Sequence, residues 1–244
     1  MSNTQAHIDA YIARQPAYAW RRAFMRGLIR TIGFHVLAKP TITGTEHIPR
    51  SGPTILMMSH VSLIDPVVCL GAVTERFAIP MTKIENARNP IFGVLVWGWG
   101  AYTVDRDTVD RSSLMNSIAL LKAGHMILIA PEGTRSPDGL RQPKDGMTYV
   151  ATKADAMILP AAMSGGTDYL DRWKRLRRVH TRVDFGQPFK FKTAGRKHIP
   201  RDELALMTQE AMYQLAIAQS TPELRGEYSD LSLATTNTIE FVAP

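Results

Sequence analysis

The sequence predicts an α/β fold, a largely parallel central sheet flanked by helices, with an N-terminal amphipathic helical segment ahead of it. From Thr41 onward, short β-type runs alternate with helical stretches, the pattern of strands joined by helical crossovers. Between Pro16 and Pro40, the run AYAWRRAFMRGLIRTIGFHVLAK has helical length and two chemically distinct sides. Size agrees: 244 residues, 45% hydrophobic and 21% charged, supply a sizeable core and exclude a disordered or fibrous chain. No Pro/Gly/Ser-rich break divides the chain. One domain with terminal additions is expected: 1–40 as a membrane-contact segment, 41–225 as the main domain and 226–244 as a tail.

In the N-terminal segment Trp20, Phe24 and Leu28 recur every four residues, and Arg22, Arg26 and Arg30 lie about 200° round the helix. Gly27 and Gly33 weaken it and favour a break into two helices. The pattern fits a helix on a bilayer with its arginines among head groups, and equally a helix docked on the core with its arginines in solvent. The strand-like runs that follow are TILMM (54–58), FAIPMT (77–82), AYTV (101–104), MILIA (126–130), MILPAAM (157–163) and RVDF (182–185). Helices are expected over Pro66 to Thr74, Ser112 to Ala123 and Tyr149 to Lys153. After Pro200, Leu204, Met207, Ala211 and Leu215 keep helical spacing behind acids in the first turn, which reads as a closing helix. Beyond Thr221 no period is visible, and residues from about Ser229 are expected to be mobile.

Composition narrows the function classes. The 29 Lys+Arg against 22 Asp+Glu, a formal charge of +7, suit an acidic partner such as nucleic acid, anionic lipid or a phosphorylated metabolite. The single cysteine, Cys69, permits neither an intrachain disulfide nor a Cys-x-x-Cys site, so a reducing compartment and a buried filler role are expected. The N-terminus lacks the basic and apolar regions of a secretory signal. The longest charge-free apolar stretch, Asn89 to Val104, contains Pro90 and three glycines, and no membrane-spanning helix is expected. Neither His-Glu-x-x-His nor Gly-x-Ser-x-Gly occurs, which argues against zinc and serine hydrolases.

Two strand ends carry the chemistry. In TILMMSHVSLIDPVV an apolar strand ends at Met58 and His60 follows at once, with Asp65 five residues later. Carboxyl ends of parallel strands are where sites form. Asp65-Pro66 is a good helix start, with Asp65 as N-cap, and Ser62-x-x-Asp65 is an alternative capping box. A turn folding back would bring the carboxylate to one imidazole nitrogen and leave the other a better proton acceptor. A structural histidine beside a capping aspartate fits the same residues. In MILIAPEGTRS a second strand ends in Pro131-Glu132-Gly133-Thr134-Arg135, where a tight turn presents N–H groups, a hydroxyl and a guanidinium fork suited to phosphate. Read alone, Glu132 and Arg135 could equally pair with each other across the turn.

His60-x4-Asp65 followed by Pro131-Glu132-Gly133-Thr134-Arg135 resembles the glycerolipid acyltransferases, typified by lysophosphatidic acid acyltransferases. Two further stretches match in order and spacing: Gly100 to Arg106 (GAYTVDR) and Ile158 to Ala162 (ILPAA). Ser59, where the family often has Asn, and Ala130, where it often has an aromatic, depart from the pattern. The resemblance implies His60 as general base and Asp65 as its orienting partner. It implies Glu132, Gly133, Thr134 and Arg135 around a phosphate-bearing acceptor, with Arg106 and Lys83 adding charge. It implies acyl transfer from acyl-CoA or acyl-carrier protein to a lysophospholipid such as 1-acyl-glycerol-3-phosphate, giving phosphatidic acid in phospholipid biosynthesis, with no metal or other cofactor. Glycerol 3-phosphate or another lysolipid is the alternative acceptor.

Pro90 to Trp99 is the candidate wall of an acyl tunnel, and ordinary core packing fits it as well. The remaining feature, Arg172 to Arg178, interleaves Trp173 with five basic residues. It would suit a nucleic-acid or anionic-lipid binding module, a reading that leaves His60, Asp65 and the Glu-Gly-Thr-Arg turn unexplained. The expected partner is an anionic membrane surface rather than nucleic acid, and the expected location is its cytoplasmic face, peripheral or monotopic.

Overall fold

The computed structural model describes residues 3–90, 92–104, 111–196 and 198–244. Its frame is an α/β sheet whose strands in chain order are β1 Ala38–Thr43, β2 Thr54–Met58, β3 Ala78–Lys83, β4 Tyr102–Val104, β5 Met126–Ile129, β6 Met157–Gly165, β7 Val179–Phe185, β8 Phe189–Phe191 and β9 Ile239–Phe241. The spatial order is β1-β7-β6-β2-β5-β3-β4, with β8 on β6 and β9 on β8. Strands β6, β2, β5, β3 and β4 run parallel, as does β1 with β7, whereas β7 and β8 are antiparallel to β6. The largely parallel sheet expected from the sequence is present.

Every residue of β2 and β5 is buried, because a central parallel strand has both faces covered and so reads as an unbroken apolar run. Alternate side chains feed two clusters. Ile55, Met57, Ile127 and Ile129 face α6 (Arg111–Lys122), α7 (Gly146–Ala154) and α9 (Arg201–Ala218). Leu56, Met58 and Leu128 join Val68 and Cys69 of α3 (Asp65–Ala72) and Trp99 of α5 (Phe92–Trp99) on the other side. Short helices α4 (Ile84–Arg88) and α8 (Tyr169–Lys174) complete the connections.

Three strands were not visible as strand-like runs. Pro40 interrupts β1, and it is tolerated because β1 is an edge strand. Strands β8 and β9 are only three residues each. They also correct the expectation of a mobile tail. Buried Glu210 of α9 accepts backbone N–H bonds from Asn237 and Thr238, each 2.8 Å. A carboxylate taken out of water needs such donors, and the tail supplies them.

The N-terminal segment breaks as expected, into α1 (Asn3–Ala13), α2 (Ala19–Leu28) and a π-helical stretch, Ile29–Leu37. Its arginine side, however, meets the expected placement among head groups or in solvent only in part: Arg22 is buried and Arg26 half-buried, while Arg30 is exposed. Arg22 is 4% exposed and donates to the Trp99 carbonyl at 2.7 Å and to Gln15 at 2.6 Å. Arg26 bonds the carbonyls of Val73, Thr74 and Arg76, and Arg30 that of Gly71. The C-terminal end of α3 presents carbonyls with no intrahelical partner, and guanidinium groups satisfy them. Trp20, Phe24, Leu28, Ile32, Val36 and Leu37 consequently face outward, with Trp20 67% exposed. Among the described residues no helix is long and apolar enough to cross a membrane.

Candidate active site

Adjacent parallel pairing of β2 and β5, with Met57 opposite Ile129, sets the two chemistry-bearing strand ends side by side. The chain after β2 turns through residues 59–64 into α3, with Pro66 in its first turn. Asp65 starts this helix without capping it. Its fully buried carboxylate reaches back: Oδ2 accepts the N–H groups of Val61 at 2.7 Å and Ser62 at 2.6 Å, and His60 Nδ1 lies 3.3 Å away. This corrects Asp65 as N-cap, whereas half of the alternative Ser62-x-x-Asp65 box is present: the carboxylate reaches back to the Ser62 N–H, while the Ser62 hydroxyl donates to the Gly166 carbonyl instead. Nδ1 donates to the carboxylate, which leaves Nε2 as the acceptor nitrogen. Burial pushes the Asp65 carboxyl up, opposed by the bonds from His60, Ser62 and Val61.

The turn after β5 is clamped to the first. Gly133 sits at φ 70°, closing a turn from its own N–H to the Ala130 carbonyl, and the Ser136 N–H donates to the His60 carbonyl at 2.7 Å. Glu132 is 6% exposed and its Oε2 accepts the Arg141 N–H at 3.3 Å. Burial pushes its carboxyl up to about 7, against the pull of the Arg141 and His60 N–H groups. Glu132 and Arg135 do not form an ion pair across the turn.

Between these turns opens a cavity of about 800 Å³. His60 and Gly133 line it, and its walls come from the clusters on both sheet faces, Met25 and Trp99 on one, Leu114 and Val150 on the other. Leu95, Val96 and Trp99 place α5 on the wall, as the tunnel reading of Pro90 to Trp99 requires. An apolar cavity with a few polar groups at one place is the usual form of a site for a chain-like ligand.

A family model described as Acyltransferase matches residues 39–164, just over half of the chain. The chain belongs to this acyltransferase family. The chain is 29% identical over 138 residues to 1-acyl-sn-glycerol-3-phosphate acyltransferase alpha of Mus musculus, covering 55% of this chain and 48% of the relative. It is 28% identical over 142 residues to the 1-acyl-sn-glycerol-3-phosphate acyltransferase of Borreliella burgdorferi, covering 57% and 56%. It thus spans about half the length of these two relatives. A Bacillus subtilis enzyme of the same name aligns over 188 residues at 28% identity, 76% of this chain and 88% of that one. The crystal structure of the 1-acyl-sn-glycerophosphate (LPA) acyltransferase PlsC from Thermotoga maritima has the same fold, with TM-score 0.60 and 21% identity over 92% of this chain and 85% of that one.

In this family member, then, His60, Asp65, Glu132 and Gly133 come together. Thr134 and Arg135 follow on the same turn with exposed side chains and do not line the cavity. Lys83 ends β3 but pairs with Glu85 at 3.2 Å, away from the cavity wall. Arg106 lies outside the described residues. Lys144 was missed by the sequence reading, and among the described residues it is the one Lys or Arg lining the cavity. Its N–H donates to the Pro131 carbonyl at 2.9 Å, and its Cε passes 3.4 Å from where a Cβ on Gly133 would sit. Two prolines and two glycines within residues 137–146 marked a turn returning toward the site. Among the described residues no group of three or more His, Cys, Asp and Glu side chains could hold a metal ion.

Proposed function

We propose that this chain is an O-acyltransferase that moves a fatty acyl group from an acyl thioester to the hydroxyl of 1-acyl-glycerol-3-phosphate, giving phosphatidic acid. The observation that carries the reading is the Asp65-held imidazole of His60 facing an apolar cavity that Lys144 also lines. Nε2 removes the proton from the acceptor hydroxyl as that oxygen attacks the thioester carbon. A C–O bond forms, the C–S bond breaks, and the imidazolium returns the proton to the departing thiolate. Asp65 holds the ring and stabilises its cationic form. Such a base contributes about 10²–10⁴-fold, and the remainder of the acceleration comes from aligning the two substrates.

Within this reading Lys144, Arg135 and Thr134 meet the acceptor phosphate, with Lys83 and Arg106 as further candidates. Glu132 holds the turn, and the cavity takes an acyl chain. The outward row of Trp20, Phe24, Leu28, Ile32 and Val36 lays the N-terminal segment on a bilayer as a peripheral or monotopic contact. Leu28 and its neighbour Met25 also line the cavity, so lipid would enter beside the docking face.

The test is acyl transfer in detergent with lysophosphatidate, glycerol 3-phosphate and other lysolipids, each with acyl-CoA and acyl-carrier protein, and products identified by mass spectrometry. Phosphatidic acid is expected, with turnover in folded His60→Ala lowered at least about 10²-fold. Near-normal turnover in that variant would remove the mechanism.

A further inference from the structure

One surface feature is unused by this chemistry. The turn that ends α8 carries Leu176, 97% exposed and at φ 52°. A left-handed leucine is strained, and a fully exposed one gains nothing from the fold in return. Such strain persists where function requires it. Around it stand Arg172, Lys174, Arg175, Arg177 and Arg178, against two acids, Asp168 and Asp171. The acids pair with Arg172 and Lys174, so Arg175 and Arg177 carry no ion pair among the described residues. The turn is fixed beside the outward apolar segment: Trp173 Nε1 donates to the Leu37 carbonyl at 2.9 Å and Arg178 to the His35 carbonyl at 3.3 Å. Val36 and Leu37, at that same end, are themselves exposed.

We infer that this turn is a second membrane contact, with Leu176 inserting into the bilayer and Arg175 and Arg177 meeting anionic phospholipid head groups. The inference rests on the proposed membrane docking of the N-terminal segment and adds to it the source of lipid charge selectivity. Buried Arg22 and half-buried Arg26 cannot supply that selectivity, since their guanidinium groups are spent on backbone carbonyls, and exposed Arg30 gives one of its nitrogens to the Gly71 carbonyl. Charge complementarity selects an anionic leaflet: each basic side chain near such a surface attracts it, and the attraction decays within a Debye length.

The experiment is co-sedimentation of the full chain with vesicles of phosphatidylcholine alone and of phosphatidylcholine with phosphatidylglycerol in equal parts, over a salt series. Arg175→Gln/Arg177→Gln should lower partitioning onto the anionic vesicles about 30-fold at low salt and leave the neutral vesicles unaffected. Leu176→Gly should lower binding to both, by about tenfold, with Tm no lower than wild type, because glycine accepts the left-handed backbone. A merely structural leucine would give the opposite pair, unchanged binding and a lower Tm. Wild-type partitioning by both variants on anionic vesicles would overturn the inference. Failure of the N-terminal docking itself is read separately, as wild-type binding by Trp20→Ala/Phe24→Ala/Leu28→Ala.

Discussion

Glu132 offers a test of the site's electrostatics that does not depend on knowing the substrate. Its carboxyl is pushed from an ordinary 4.5 up to about 7 by burial, so the folded protein holds this proton more tightly than the unfolded chain. Folding therefore takes up a proton between these two values, and stability falls as pH rises through the same window. The difference corresponds to about 3 kcal/mol, fully present as a penalty above pH about 7 and absent below about 4. Glu132 is nearly inaccessible, so little of this is screened by solvent. Glu132→Gln cannot ionise and should lose that slope. Relative to wild type its Tm should be unchanged or slightly lower at pH about 4, where the amide costs part of a hydrogen bond. It should be higher by roughly 6–12 °C at pH about 8.5, at about 2–4 °C per kcal/mol for a chain of this size. Scanning calorimetry of both proteins across that range isolates the difference, since all other titrating groups are common to them. A Tm difference independent of pH would refute the argument that burial, rather than pairing, governs this carboxyl.

Other expectations follow from the same geometry. Asp65→Asn keeps an oxygen for the Val61 and Ser62 amides but loses the charge facing His60. It should fold normally by circular dichroism and turn over on the order of 10²-fold more slowly. Lys144→Met should raise KM for a phosphate-bearing acceptor by about 10–100-fold, the worth of a charged hydrogen bond. KM for an uncharged monoacylglycerol should not change, and an equal rise for both would place Lys144 outside the phosphate site. Arg22→Met strands the Trp99 carbonyl and Gln15 and should cost about 2–4 kcal/mol by urea unfolding. The exposed neighbour change Arg21→Met should stay within about 0.5 kcal/mol.

The sheet and the two strand-end turns were legible because parallel core strands are unbroken apolar runs, and polar residues directly after TILMM and MILIA break that rule conspicuously. What periodicity cannot report is which side of an amphipathic helix faces inward. Trp20, Phe24 and Leu28 are the apolar side by any scale, yet they are exposed, while Arg22 is buried, Arg26 half-buried and Arg30, though exposed, bonded inward to a carbonyl. Their partners are carbonyls of residues 71–76 and 99, which become available only once α3 and α5 have formed. Lys144 escaped for a related reason: in QPKDG it looks like any solvated loop lysine, and only the bond to the Pro131 carbonyl brings it to the cavity. The tail was misjudged because no period is visible beyond Thr221, and nothing in the sequence shows that the oxygens of Glu210 are taken by Asn237 and Thr238.

The pairing of β1 with β7 sets an order of events during synthesis. Ala38 through Thr43 align with Val179 through Asp184, so the strand that ties the outward apolar segment to the sheet waits for a partner made 141 residues later. Contacts so distant along the chain close slowly. On the ribosome the row from Trp20 to Leu37 therefore emerges well before the sheet that holds it in place. Under the proposed docking of this row on a bilayer, attachment to the membrane precedes completion of the fold, and a nascent chain halted before residue 179 should already co-fractionate with lipid.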